Sequence, residues 1–267
     1  MSDLTGKTAL VTGSVRGIGF GVAAALAAAG ARIALHGLAG ELEIHEAREA
    51  LMAAGSPQVE FFDGDLRQPD RIAALMAAVE AWGGVDILVN NAGIQHTAGL
   101  ADMAPDAWDQ IIAVNLSAAF HTMRLGLPQM AARGYGRVIN IASVHGLVAS
   151  KMKAPYVAAK HGLIGLSKVA ALEYATAGSK ASGGVTVNCI APGWTETALI
   201  EPQIEAAAKA HGGDREAGIA AMLAEKQPSL RTSDPSEIGA LALWLCAREA
   251  HNVTGAAIPI DGGWTAQ

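Results

Sequence analysis

Residues 7–12, Lys-Thr-Ala-Leu-Val-Thr, make a short apolar run that breaks directly into Gly13-Ser-Val-Arg16-Gly17-Ile18-Gly19. An alanine-rich stretch from Phe20 to Ala29 follows, and Gly30 closes it. The run lacks polar–apolar alternation, as expected for a strand covered on both faces. A buried strand passing through glycines into a helix restricts the fold more than any other feature of this chain. The glycines let backbone approach a pyrophosphate, and the helix N-terminus offers free N–H groups and a positive dipole end. The spacing is Gly-x-x-x-Gly-x-Gly, not the Gly-x-Gly-x-x-Gly of the commoner dinucleotide fingerprint. A glycine trio alone also serves as a plain tight turn.

The same alternation continues. Strands are expected at 31–35, 59–62, 85–89, 137–142, 185–191 and 256–260, and helices at 41–54, 70–82, 105–133, from 155, and at 235–247. Residues 196–230 carry helical patches interrupted by Gly212-Gly213, and Gly178 to Gly184 reads as a surface loop. Seven strands alternating with six or so helices, without linker or repeat, predict one doubly wound α/β domain over 1–267 with a parallel sheet. A segment of about 195–230 after a strand's carboxyl end is where a lid would sit. Of the 267 residues 51% are hydrophobic and 16% charged, which supports a core and excludes disorder. The net charge of −6 argues against nucleic acid as a partner. Lacking an apolar run of about 18 residues, a polybasic cluster or a signal-peptide pattern, the chain is expected to be soluble and cytoplasmic. Cys189 and Cys246 lie in apolar segments, without partners at metal-ligand spacing, so no metal is expected.

Chemistry concentrates between Ile139 and Lys160. Ser143 ends an apolar strand, and Tyr156 and Lys160 lie four apart on one face of the helix that follows. A phenol titrates near 10, and an ammonium beside it favours the phenolate. Ser143 would hold a carbonyl or alkoxide oxygen next to the phenol. This equipment moves a proton on and off an alcohol, although Tyr and Lys at this spacing also occur on helices by chance. Asp65, after the third strand, is placed either for an adenine contact or as a helix cap. Asn90-Asn91-Ala92-Gly93 reads as a turn pinned by side-chain amides. Asn115, inside an apolar helix, needs hydrogen bonds of its own.

Thr12-Gly13-x-x-x-Gly17-x-Gly19, Asn90-Asn91-Ala92-Gly93, Asn115, Ser143, Tyr156-x-x-x-Lys160 and Pro192-Gly193 together resemble the short-chain dehydrogenase/reductase family over the whole chain. The resemblance implies NAD(P)-dependent hydride transfer. It implies Tyr156 as general acid/base, Lys160 for ribose binding and pKa lowering, Ser143 at the substrate oxygen and Asn115 at a proton-relay water. It further implies a cofactor site of Gly13, Arg16, Gly17, Ile18, Gly19, Asp65, Leu66, Asn91, Ala92, Gly93, Val114, Tyr156, Lys160, Pro192, Gly193, Trp194 and Thr195.

Stretches around Gln95, Ser143–Ser150, Lys153, Glu225–Leu230 and Asp261–Ala266 look like the D-3-hydroxybutyrate dehydrogenase branch of that family in bacteria. That likeness implies a small hydroxy or keto acid substrate, its carboxylate clamped by Gln95, His145, Lys153 and Gln203, with Ser143, Tyr156 and Trp194 also touching it. It implies NAD and a homotetramer formed through the helices of Asn115 and Tyr156 and the last strand. NADP is less expected because no arginine follows the second strand, but Arg16 and the missing acid near His36 stand against NAD. Thr195-Glu196-Thr197-Ala198 departs from the branch's usual pattern. A 3-oxoacyl or sugar reductase and a silent dinucleotide sensor are the rival functions.

Overall fold

The computed structural model describes residues 3–198 and 200–266, so position 199 of the expected lid lies outside the described residues. Its strands are β1 (Thr8–Val11), β2 (Arg32–Leu35), β3 (Val59–Phe61), β4 (Ile87–Asn90), β5 (Tyr135–Ile141), β6 (Gly184–Pro192) and β7 (Ala257–Ile260). They form one sheet in the order β3-β2-β1-β4-β5-β6-β7, parallel throughout. The central strands β1, β4 and β5 are buried along nearly their whole length, which explains their unbroken apolar sequence. The expected doubly wound sheet is present, with strand ends shifted by a residue or two.

The helices are α1 (Gly17–Ala28), α2 (Glu41–Ala53), α3 (Pro69–Gly83), α4 (Pro105–Ile112), α5 (Ala118–Arg133), α6 (Ala154–Tyr174), α7 (Glu201–Ala210), α8 (Arg215–Leu223) and α9 (Pro235–Cys246). Proline at the first turn starts α3, α4, α6, α7 and α9, where its missing N–H costs nothing. Asp234 and Glu237 close a capping box on α9. One apolar cluster joins α1 and α9 to one sheet face (Val22, Leu26, Ile238, Leu245). Another packs α3 and α5 on the opposite face (Leu75, Val79, Met123, Leu127).

One expectation about the helices needs correction. The long helix expected over 105–133 is interrupted: residues Ala113–Ser117 form a π-helical turn with Asn115 at its centre. Such turns break the regular ladder, and apolar patterning does not reveal them. The helical patches after β6 resolve into two helices, α7 and α8, separated at Gly212-Gly213 as expected.

β1 has β2 on one side and β4 on the other, so the winding direction reverses between β1 and β4. The carboxyl ends of these two strands open the crevice where doubly wound folds take ligands. Among the described residues no helix is long and apolar enough to cross a membrane, and no group of three or more His, Cys, Asp or Glu could hold a metal.

Candidate active site

The glycine loop after β1 is held by the turn after β4. Asn91 donates from Nδ2 to the carbonyls of Thr12 (2.9 Å) and Gly13 (3.0 Å), while Thr12 Oγ1 accepts from the backbone N–H of Asn91 and Ala92. Gly13 and Gly17 have φ of 64° and 60°, the left-handed region that favours glycine. A Cβ at Gly19 would lie 2.2 Å from the Gly13 carbonyl oxygen and 2.4 Å from Asn91 Nδ2. The start of α1 has no side-chain cap and no acid in its first turn, so its N–H groups face the crevice without a competing carboxylate. This cradle fits a dinucleotide pyrophosphate.

Asn90 does different work. Its side chain accepts from Thr122 Oγ1 (2.7 Å) and donates to Asn140 Oδ1 (2.8 Å), and Asn140 donates to Ser167 Oγ (2.7 Å). All four residues are buried, so this thread ties β4, β5, α5 and α6 together beneath the crevice.

His36 occupies the place after β2 where an acid commonly meets a ribose. It is buried, its Nδ1 lies 3.3 Å from the Gly13 nitrogen and its Nε2 2.9 Å from the Gly64 carbonyl oxygen. Burial lowers its pKa, which keeps it neutral. Arg16 turns away to an exposed ion pair with Glu43, 3.0 Å. Asp65 meets Arg67 at 2.7 Å and also accepts from Gln68; these bonds hold its carboxyl well below the usual carboxylate range. The helix-cap reading of Asp65 is wrong: Gln68 takes the cap position of α3, and without a side-chain bond.

The second half of the site stands on β5 and α6. Ser143, at the end of β5, accepts from the His145 N–H (3.2 Å), and its hydroxyl lies 3.4 Å from His145 Nδ1. Tyr156 and Lys160 share a face of α6, with Lys160 Nζ 5.6 Å from the Tyr156 ring centroid. Lys160 is fully buried, donates to the Ile141 carbonyl at 2.7 Å, and is lowered by burial to about 8. The Tyr156 phenol, expected to be lowered, is raised. Burial outweighs the opposing hydrogen bond with the Ser143 hydroxyl.

Asn115 accepts from the Ile94 N–H and donates to the Ile94 carbonyl, both 2.9 Å, so its amide pins the loop after β4. Asn115, Lys160, Val114, Leu66, Ala92 and Thr12 line one cavity, which joins residues expected separately at five places in the chain. After β6, Gly193 approaches so closely that a Cβ would lie 2.7 Å from Gln227 Oε1, which accepts from the Trp194 N–H. Thr195 Oγ1 is buried without a partner, as suits a group awaiting a ligand. Thr197 lies over Gly17.

Only part of the expected carboxylate clamp is assembled. His145 and Lys153 are electrostatically coupled, and His145 is pushed down to about 4, first by burial, then by Lys153, Lys226 and His161. Lys153 is lowered by burial and by Lys226. Gln95 and Gln203 are exposed, and neither side chain makes a hydrogen bond among the described residues. Gln95 lies on the loop after β4 and Gln203 in the first turn of α7. Three residues were not expected here. Ser150 Oγ lies 2.9 Å from His145 Nε2, Lys226 Nζ donates to Ser150 Oγ at 3.2 Å, and the Trp264 ring stands edge-on to His145 at 5.5 Å between centroids. Their sequence signal lay only in the likeness of 143–150, 225–230 and 261–266 to one family branch. Glu196, the departure from that branch, ties Thr232 to Arg215 and so joins the end of β6 to α8.

The profile of the family described as short chain dehydrogenase matches residues 7–208. The chain belongs to the short-chain dehydrogenase family. Members of this family are oxidoreductases that bind a nicotinamide dinucleotide. The chain is 48% identical over 265 residues to the D-beta-hydroxybutyrate dehydrogenase of Cupriavidus necator, covering 99% of this chain and 100% of that one. It is 45% identical over 262 residues to the protein of the same name from Rhizobium meliloti, covering 98% and 99%. A solved 3-oxoacyl (acyl-carrier-protein) reductase from Agrobacterium tumefaciens C58, with NADP bound, superposes with a TM-score of 0.86 at 31% identity, covering 98% of this chain and 95% of that one.

Proposed function

We propose that this short-chain dehydrogenase interconverts D-3-hydroxybutyrate and acetoacetate with NAD. The observation that carries the reading is the Lys153 charge acting on a buried His145 that itself touches Ser143, in a chain similar over its full length to two D-beta-hydroxybutyrate dehydrogenases. A short hydroxy acid has two features to recognise, a hydroxyl and a carboxylate. Ser143 and Tyr156 meet the first, and Lys153 with His145 meets the second.

Bound NAD supplies the hydride acceptor; every other requirement falls on the chain. Ser143 donates to the substrate oxygen and fixes it beside the Tyr156 hydroxyl. In oxidation Tyr156 takes the hydroxyl proton as the C3 hydrogen leaves as hydride; in reduction it returns the proton to the carbonyl oxygen. The raised Tyr156 pKa keeps the phenol protonated at neutral pH, ready for reduction. Oxidation needs the phenolate, which the Lys160 ammonium stabilises once substrate and cofactor are in place. With its pKa of about 8, Lys160 is mostly charged at pH 7. The Asn115 amide is spent on Ile94, so a relay water at this turn would bind its backbone.

The cofactor would lie along Gly13–Gly19, Asp65–Leu66, Asn91–Gly93, Val114 and Pro192–Thr195, with Lys160 at the nicotinamide ribose. The pairing of Arg16 with Glu43 and the neutral His36 favour NAD over NADP. Helices α7 and α8 form the lid, which brings Gln203 to the pocket on closure, while Gln95 approaches from the β4 loop. Exposed Phe120 on α5 and Val169 and Leu172 on α6 suit burial in a homotetramer.

A hydrogen bond to a charged group is worth about 1.5–3 kcal/mol, and about 1.4 kcal/mol is tenfold. Lys153→Ala should therefore lower kcat/KM for D-3-hydroxybutyrate by about ten- to a hundredfold, with a much smaller loss on its methyl ester. Equal losses on acid and ester would take Lys153 out of the clamp.

A further inference from the structure

His36 is given no role by the family likeness, yet it is the side chain on which the glycine cradle closes. It follows β2 directly, is 3% exposed, and spends both ring nitrogens on backbone. The Gly13 N–H donates to Nδ1 across 3.3 Å, and Nε2 lies 2.9 Å from the Gly64 carbonyl oxygen. Nδ1 therefore accepts, which puts the ring proton on Nε2, where it serves Gly64. One ring joins the turns that leave β1, β2 and β3 at their carboxyl ends.

The surrounding backbone fixes the ring further. The Ser14 N–H donates to the His36 carbonyl at 2.7 Å, and the His36 N–H donates to Ser14 Oγ at 3.1 Å; Ser14 is fully buried. The sheet order explains the reach to Gly13, because β1 lies between β2 and β4. From the turn after β4 comes Asn91, whose Nδ2 holds the Gly13 carbonyl at 3.0 Å. From the end of β2 comes His36, which holds the Gly13 N–H. The first glycine of the cradle is thus gripped from both neighbouring strands. A Cβ on it would lie 3.0 Å from Ala92 Cα, so it has little room to shift.

His36 stands where an acid commonly meets a ribose. With both nitrogens engaged, the ring has no free polar atom to offer one. Partners drawn from two separate ligand-facing turns also distinguish it from a histidine that only fills the core.

We propose that His36 is a positioning residue for the dinucleotide: in its Nε2-protonated tautomer it holds the Gly13 N–H and so sets the pyrophosphate cradle, without reading the ribose. The inference rests on dinucleotide binding in that cradle and is independent of which acid is the substrate. A second proton on the ring would set donor against donor at Gly13. Asp63, after β3, favours that charged form, and burial opposes it more strongly. Asp65 and Arg16, on the same turns, are paired with Arg67 and Glu43.

The test measures NAD and NADP binding by calorimetry to wild type, His36→Gln and His36→Asn. Glutamine keeps a donor for Gly64 but no acceptor beside Gly13, whereas asparagine keeps an acceptor near the Nδ1 position. At pH 7.5 His36→Gln should weaken both dinucleotides by the same factor, about three- to tenfold, and His36→Asn should recover most of that loss. The ring's pKa in the folded chain lies below its ordinary value of about 6.5, so the charged form gains only below that pH. Wild-type NAD affinity should accordingly fall from pH 6.5 to pH 5, and His36→Asn, with no ring to charge, should fall less steeply. A loss confined to NAD would make His36 a ribose reader, and equal losses in both variants would make it plain packing. Unchanged affinity in His36→Gln would leave the cradle indifferent to it, and each of these results overturns the inference. Should His36→Gln fail to fold, wild type against His36→Asn decides, and parallel pH profiles refute it. If wild type binds neither dinucleotide, the cradle is misread and the inference falls with it, whichever acid the enzyme oxidises.

Discussion

His145 offers a prediction that can be worked from its surroundings. The residue is 6% exposed, and burial, with Lys153, Lys226 and His161 nearby, sets its pKa at about 4 against about 6.5 in an unfolded chain. The folded value is depressed, so the native state binds fewer protons than the unfolded state between the two. Stability from this residue is present in full above about 6.5 and declines as pH falls toward about 4. At pH 5, about 1.5 units below the unfolded value, the linkage amounts to about 2 kcal/mol at about 1.36 kcal/mol per unit. Screening of the neighbouring lysines by solvent trims this to between about 1 and 2 kcal/mol. Glutamine at this position cannot titrate and can still meet the Ser150 hydroxyl. Urea unfolding of wild type and His145→Gln at pH 7 and pH 5, at fixed protein concentration and ionic strength, isolates the contribution. Wild type should lose about 1–2 kcal/mol more than the variant on acidification. Equal losses would mean that His145 titrates normally, and the pocket would then be wetter and less cationic than its geometry indicates.

Three further outcomes follow from the site. Gly19→Ala drives a methyl group to 2.2 Å from the Gly13 oxygen and should weaken dinucleotide binding more than tenfold and lower stability by about 1–3 kcal/mol; cofactor titration with wild-type affinity would contradict the cradle. Tyr156→Phe removes only the hydroxyl that exchanges the proton, so kcat should fall at least a hundredfold while NAD affinity, read by fluorescence titration, survives; more than a few per cent residual kcat would end the acid/base assignment. Arg16 is engaged by Glu43 and His36 is neutral, so kcat/KM should be higher with NAD than with NADP; equal values or NADP ahead would sink the preference.

The architecture was legible because its signals are local. Buried parallel strands announce themselves as short apolar runs, and glycine, proline and asparagine mark the ends where ligands bind. Ser143, Tyr156 and Lys160 were legible because helix periodicity and a strand end place them together. The direction of the Tyr156 shift was not, since spacing gives proximity to a lysine but not the depth of burial that opposes it. The π turn at Asn115 was hidden by ordinary apolar patterning, and its amide went to Ile94 because an exposed-looking loop packs back on the helix. Ser150, Lys226 and Trp264 meet His145 from segments more than a hundred residues apart at the extremes, a convergence that no local pattern encodes. Gln95 and Gln203 show the reverse: the likeness of their segments to one branch implied a clamp, and in this structure both are exposed, with no side-chain hydrogen bond among the described residues.

The central claim is the substrate. Initial rates of reduced-nicotinamide absorbance with purified enzyme and NAD would be compared for D-3-hydroxybutyrate, its L enantiomer, methyl D-3-hydroxybutyrate and a sugar alcohol. The cationic pocket beside Ser143 predicts rapid reduction of NAD with D-3-hydroxybutyrate, and kcat/KM for the ester lower by at least tenfold. A sugar alcohol turned over faster than the acid, or no reduction of NAD with any of the four, would contradict the account.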